Sequence, residues 1–210
     1  MTCFTSNLCL TKSFAKHKFD VKHVIRTILN SRVYQLSSEP ADANRMDRQN
    51  FARYYARRMI AEVFFDAVNQ ATGTRANFSG VAAGARAVDL PHEGFGSYFL
   101  DTFDRPRRVT GCECERSSGA TLAQVLLLAN SEEVENRLRA GDGLVAKLTK
   151  AKKPTPEVVE ELYLTAYARR PTKAELGKAV AYVEKQQDRQ QGLQDVLWVI
   201  LNSKEFMFNH

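Results

Sequence analysis

The sequence predicts a mostly α fold, an antiparallel helix array with a long irregular or short-strand insertion in the middle. Apolar residues recur at steps of three and four through several stretches, and many of these stretches begin with capping residues and end at glycine or proline. The 210 residues suffice for one sizeable core or two small ones. We expect residues 1–100 to form an N-terminal helical half with the irregular insertion and residues 101–210 a C-terminal helical half, together one compact domain.

Two helices are predicted in the N-terminal half, after a shorter helical piece at about Leu8 to His17. The first follows Asp20, a typical N-cap, and carries an apolar stripe that includes Val21, Ile25 and Leu29. The second is long, from about Asp47 to Thr72, and Gly73 occupies the C-cap position. A loop separates the two helices.

The insertion covers Thr74 to Pro106, where small residues and scattered aromatics replace helical periodicity. Because long structureless loops are uncommon in compact domains, we expect short extended pieces there, with a strand around Ser97 to Phe103.

The C-terminal half has the clearest helix boundaries. A buried helix is predicted over Leu122 to Ala129, and Ser131 opens the next turn. Thr155 is expected to cap another helix with Pro156 at its first position, and this helix stops at the Arg-Arg-Pro run ending at Pro171. Thr172 and Glu175 form a capping box for the following helix. The last helix, QDVLWVILNS, places the only tryptophan, Trp198, among core-type residues.

Composition excludes several classes of protein. Hydrophobic residues make up 44% and charged residues 26%, as in soluble globular proteins, and no apolar run is long enough to span a membrane. The segment Lys12 to Arg58 holds eleven lysines and arginines against four acidic residues, a net charge of +7. Such a block can attract phosphates or an acidic partner protein, although a solvated helix surface explains it more simply. Nucleic-acid binding is unlikely because no recognised nucleic-acid-binding motif accompanies the charge.

The segment from Asp101 to Ser131 joins the two halves and contains the residues that point most directly to chemistry. Cys112 and Cys114 are weak candidates for a metal site with His92, because zinc needs four ligands and the usual paired spacing is missing. A disulfide is the second alternative, and free thiols are the favoured one. We therefore predict no metal and no cofactor.

Candidate catalytic residues in the same segment are Asp104, Cys112, Cys114 and Arg116. Arginines interleave with the carboxylates, which favours an ion-pair network over an acid–base pair. No nucleophile elbow, metalloprotease helix, phosphate-binding loop or dinucleotide fingerprint is present. The sequence thus leaves open whether the protein is an enzyme.

Five blocks of sequence, in order, carry a resemblance to a known family: KHKFDVKHVIRTILNSRVYQLSS, YYARRMIAEVFFDAVNQATG, FDRPRR with CECER and LLLANS, ELYLTAYARRPTKAEL, and DVLWVILNSKEFMFNH. Together they resemble the planctomycete cytochrome-associated domain of unknown function, family one-five-five-three, over about residues 11–210.

The resemblance implies that the chain is the C-terminal part of a longer protein, since family members typically carry a preceding domain and often a c-type cytochrome-like domain. It also implies a periplasmic or cell-envelope location, although the opening MTCFTSNLCLTKSF does not have the pattern of a signal peptide. We expect an uncharacterised helical module, a non-catalytic docking domain whose partners are protein domains such as the cytochrome-like one. The alternative is a hydrolase or oxidoreductase with a site near the Cys-x-Cys segment.

Overall fold

A computed structural model describes residues 6–92, 94–106, 124, 128 and 130–209. Within these residues the chain forms ten α-helices and one two-stranded sheet, which confirms the mostly α prediction. The chain divides into two compact units, unit 1 up to Arg57 and unit 2 from Arg58 to Asn209.

Unit 1 contains two helices, α1 (Ser6–Lys16) and α2 (Val21–Leu29). As predicted, Asp20 caps α2, its carboxylate accepting a hydrogen bond from the Lys22 backbone N at 2.8 Å. The turn between the helices has positive φ at Lys18 and Phe19, and the Phe19 ring lies edge-on against Phe14 at 5.3 Å. These two helices therefore form a local hairpin.

The predicted helix from Asp47 to Thr72 is wrong over its first half. The Asp47 carboxylate accepts hydrogen bonds from the backbone N of Gln49, Asn50 and Ala52, which holds its pKa at about 2. These bonds turn the chain, and Phe51 adopts a left-handed φ of 53°. The helix begins only at Ala61, beyond the end of unit 1.

Unit 2 consists of helices with one short strand pair. Its elements are β1 (Arg57–Arg58, whose second residue opens the unit), α3 (Ala61–Thr72), a 3₁₀ turn (Ala87–Asp89), α4 (Tyr98–Thr102), α5 (Glu132–Leu138), α6 (Leu144–Lys150), α7 (Thr155–Tyr167), α8 (Lys173–Lys185), α9 (Arg189–Leu201), α10 (Lys204–Met207) and β2 (Phe208–Asn209). β1 pairs with β2, and the Met59 backbone N donates to the Met207 carbonyl at 3.1 Å. Gln124 and Leu128, within the predicted helix from Leu122 to Ala129, and Asn130, which directly follows it, are helical as well, and the other residues of that predicted helix lie outside the described residues.

The core of unit 2 forms around α3. The Phe64 ring contacts the rings of Phe99, Phe103 and Phe206 at centroid distances of 5.7, 4.9 and 5.8 Å. Helix α3 packs against α4 and α7, and α7 in turn packs against α8 and α9. This arrangement places α7, α8 and α9 side by side on one part of the unit.

The predicted strand at Ser97 to Phe103 is also wrong, because this segment is helix α4. The Ser97 hydroxyl accepts from the Leu100 backbone N at 3.3 Å and caps the helix. Phe99, Leu100 and Phe103 are buried, and their spacing places them on one side of a helical turn. Ser97 is thus the N-cap of a helix, whereas the aromatic composition of the segment favoured a strand.

Most of the predicted helix ends are confirmed. Gly73 ends α3 with a left-handed φ of 69°, and the Ser131 hydroxyl caps α5. Thr172 and Glu175 form the reciprocal capping box of α8. Helix α7 differs by one position, since Thr155 is its first residue.

Candidate functional site

The predicted site residues fall into two groups. Cys112, Cys114 and Arg116 lie outside the described residues. Asp104 is described and belongs to a polar network: its carboxylate accepts from Gln124 Nε2 at 3.1 Å and lies 3.7 Å from Arg58 Nη2. The Arg58 guanidinium also donates to the Gln124 side chain. Asp104 is therefore engaged in the ion pairing that the sequence favours for this segment.

His92 is held locally. Its ring stacks on Phe95 at 4.7 Å, and its Nδ1 accepts from the Gly94 backbone N at 3.1 Å. Across the ranges that the structure describes, no three His, Cys, Asp or Glu side chains are grouped so as to hold a metal ion.

Unit 2 has a cavity of about 710 Å³ between α5, α7, α8 and α9, which we call the α8–α9 cavity. Its buried floor includes Leu138, Val196 and Ile200, and Tyr182, Trp198 and Val199 form part of its exposed rim. The remaining lining residues are Glu135, Arg139, Tyr163, Glu175, Lys178, Ala179, Gln191, Gln194 and Asp195.

Trp198 departs from expectation. The sequence places it among core-type residues, but its side chain is 36% exposed and lines the cavity. The buried side of α9 is instead formed by residues such as Leu193, Leu197 and Leu201. An indole in this position can stack against the apolar part of a bound molecule.

The carboxylates of the cavity are engaged by neighbouring side chains. Asp195 accepts from the Tyr182 hydroxyl at 2.9 Å and from Gln191 Nε2 at 2.8 Å, and the first of these bonds raises the pKa of Tyr182. Glu175 accepts from the two terminal guanidinium nitrogens of Arg169 at 3.0 and 2.9 Å, and mainly for that reason its pKa falls to about 2. These negative charges are neutralised or satisfied within the protein.

Gln194 and Lys178 are polar residues of the cavity that remain available to a ligand. Gln194 is only 7% exposed, and its carboxamide makes no hydrogen bond to any side chain or backbone group in the described part of the chain. Lys178 is exposed and forms no ion pair with a described residue. The cavity thus offers a buried donor and acceptor together with one positive charge.

A second apolar surface lies on unit 1. Val21, Ile25, Ile28 and Leu29 share one side of α2 and are 59, 50, 44 and 43% exposed. None of residues 10–57, the part of unit 1 whose side-chain burial the structure describes, is buried. We call these four residues the α2 face.

The comparison with protein families identifies a family for this chain. The family model described as PSD1, protein of unknown function (DUF1553), matches residues 9–183. The chain belongs to this family. No curated protein and no solved structure matches the chain significantly.

The DUF1553 match covers unit 1 from residue 9 and reaches into α8, so α9 and its cavity residues lie beyond the matched range. No described helix is long and apolar enough to cross a membrane.

Sequence reasoning missed the α8–α9 cavity because its residues come from four helices and form no local motif. One signal was present: Gln194 falls on the same helical stripe as Leu197 and Leu201, where an apolar residue is expected. A glutamine in such a position indicates that its environment is polar or open.

Proposed function

We propose that the chain is a non-catalytic helical docking module that binds an acidic protein domain through the α2 face. The exposure of four large aliphatic side chains on one side of a nine-residue helix carries this proposal. Contiguous exposed apolar surface is costly for a soluble domain unless a partner covers it.

Charge supports an acidic partner. The segment Lys12 to Arg58, which includes α2, has a net charge of +7, and Lys22 and Arg26 lie next to the α2 face on the helix. An acidic partner with an apolar stripe would bury the aliphatic side chains and pair with these cations. The family resemblance makes a c-type cytochrome-like domain in the cell envelope the first partner to test.

The alternative, a hydrolase or oxidoreductase near the Cys-x-Cys segment, receives less support. Asp104, the candidate catalytic residue that the structure describes, accepts a hydrogen bond from Gln124 and pairs with Arg58. Substrate turnover by the purified chain at an ordinary enzyme rate would refute the non-catalytic assignment.

Site-specific photo-crosslinking in the source cells tests the docking surface. A photoreactive benzoylphenylalanine replaces Ile25, and in a matched control it replaces Thr27, which is exposed on another side of α2. We expect the probe at position 25 to yield an adduct with one acidic protein, and the probe at position 27 to yield little of it.

Binding of the purified partner should then weaken with the Ile25→Glu variant and with rising salt, because salt screens the rim charges. Equal crosslinking from both positions would contradict the proposal. Adducts with lipid alone would assign the α2 face to a membrane surface instead.

A further inference from the structure

The α8–α9 cavity has the size and lining of a small-molecule site. Its volume of about 710 Å³ falls within the range of roughly 300–1,000 Å³ that ligand pockets occupy. Apolar side chains form its floor and three aromatic residues, Tyr163, Tyr182 and Trp198, line it. A bound molecule would therefore place an alkyl or aromatic body in this space.

Gln194 gives the cavity a buried polar contact. Its carboxamide carries two donors and a carbonyl acceptor, and it is held on α9 with 7% of the residue exposed. The amide makes no hydrogen bond to a described residue, and its nitrogen and oxygen are not among the fully buried atoms that lack a partner, so they are accessible from the open space of the cavity. A polar group on a ligand in the cavity could therefore hydrogen-bond to them.

The charged side chains of the cavity indicate which charge a bound ligand would carry. The carboxylates of Glu175 and Asp195 are engaged by Arg169 and Tyr182, respectively, and Glu135 lies 3.5 Å from Arg139. Lys178, by contrast, has no ion pair in the described ranges. Asp195 keeps its negative charge, but its two oxygens already accept from Tyr182 and Gln191, so Lys178 is the charged group of the lining whose N–H donors can bind the anionic group of a ligand.

We propose that the α8–α9 cavity binds a small amphipathic organic anion, such as an aryl or alkyl carboxylate or sulfonate. Its apolar body packs against Trp198 and the buried floor, Gln194 hydrogen-bonds to its polar part, and Lys178 balances its charge. This site lies within unit 2 and is independent of the proposed docking through the α2 face.

The first test uses a pair of fluorescent probes that differ in one charge. Anilinonaphthalene sulfonate is anionic, and N-phenyl-1-naphthylamine is its neutral parent. Because Trp198 is the only tryptophan, energy transfer from it to the probe reports binding at the cavity and discounts dye on more distant apolar surfaces. We expect saturable transfer to the sulfonate with a stoichiometry of one.

Four variants locate the bound probe. Ala179→Phe fills the cavity and should abolish the transfer, whereas Ala181→Phe, on an exposed position of the same helix outside the cavity lining, should leave it unchanged. Lys178→Gln should lower the affinity for the sulfonate by about twofold to fivefold and leave the affinity for the neutral probe unchanged. Gln194→Leu keeps the approximate shape of the side chain without the amide, and it should lower the affinity for the sulfonate by about threefold or more.

Because a variant that fails to fold would also lose binding, ligand binding is measured on the unmodified chain as well. Titration with dodecanoate should shift the single indole N–H resonance of Trp198 in a saturable manner. Sulfonate binding that persists in the Ala179→Phe variant, or a Trp198 resonance that does not move, would overturn the proposal.

Discussion

Replacing Arg169 with glutamine removes the cation that joins three helices of unit 2. Arg169 follows α7, and its guanidinium binds Glu175 of α8 and Glu205 of α10. Arg169 donates two hydrogen bonds to the Glu175 carboxylate, at 3.0 and 2.9 Å. It donates two more to the Glu205 carboxylate, from Nε and, at 2.7 Å, from Nη2. The guanidinium also lies 5.3 Å from the centre of the Tyr167 ring.

The size of the effect follows from the number of bonds and their exposure. A hydrogen bond to a charged group contributes about 1.5–3 kcal/mol when well shielded. The side chains here are 30–37% exposed, so solvent screens the interaction and the sum must be discounted strongly. We expect Arg169→Gln to lower the free energy of unfolding of unit 2 by about 2–3 kcal/mol at neutral pH.

The effect should depend on pH because Arg169 is the largest cause of the low Glu175 pKa of about 2. A lowered carboxyl pKa stabilises the folded state above the ordinary value of 4.5, and this stabilisation is lost as the pH falls toward 2. The difference in unfolding free energy between wild type and Arg169→Gln should therefore shrink between about pH 5 and pH 2.

Urea unfolding monitored by Trp198 fluorescence measures this quantity, since the only tryptophan lies in unit 2. Arg170→Gln is the matched control: Arg170 pairs with Glu160 at 3.0 Å but is 79% exposed, and its loss should cost less than about 1 kcal/mol. An Arg169→Gln variant as stable as the control, or a difference that stays constant down to pH 2, would refute the reasoning.

Two glycine substitutions should have opposite effects on thermal unfolding followed by circular dichroism. Gly73→Ala should destabilise unit 2 by at least about 1–2 kcal/mol, because Gly73 has a φ of 69° and a Cβ there would lie 2.7 Å from the Leu144 backbone N. Gly177→Ala should stabilise it by about 0.5–1 kcal/mol, since Gly177 lies within α8 with no atom near the added Cβ. A stabilising Gly73→Ala variant or a destabilising Gly177→Ala variant would contradict these assignments.

Helix ends were predictable because a cap depends on residues within three or four positions of one another. Thr172 and Glu175 exchange their two hydrogen bonds within one turn, and Ser131 reaches Val134 in the same way. Gly73 similarly needs only its own freedom to adopt a positive φ. Nothing distant in the chain has to be known for these predictions.

Helix lengths were less predictable, because periodicity does not show where backbone hydrogen bonds go. The stretch after Asp47 has helical spacing, but the Asp47 carboxylate accepts hydrogen bonds from three backbone N–H groups. The Phe51 backbone N also donates to the Tyr55 hydroxyl at 3.2 Å. Aromatic composition was similarly misleading at Phe99 and Phe103, whose burial comes from a short helix.

The candidate site was the least predictable part. Cys112 and Cys114 attract attention as a sequence motif and lie outside the described residues, whereas the α8–α9 cavity depends on how four helices pack. Lys178 is unremarkable in sequence, Trp198 was expected in the core, and Gln194 on an apolar stripe does not by itself indicate a site. Only the packing of α8 against α9 brings the three residues to one cavity. Tertiary contacts of this kind have no local signature.

The Arg169 cluster and the cavity share a residue, so the two should be coupled. Glu175 lines the cavity and lies three residues before Lys178 on α8. Without Arg169, the Glu175 carboxylate becomes available to Lys178 at a spacing that allows helical ion pairs, and it would neutralise the charge that we assign to anion binding. Arg169→Gln should therefore weaken the binding of anilinonaphthalene sulfonate at neutral pH. Acidification that protonates Glu175 should restore part of the affinity. The Arg170→Gln variant should bind as wild type does, and unchanged sulfonate affinity in Arg169→Gln would show that Lys178 does not set the charge preference of the cavity.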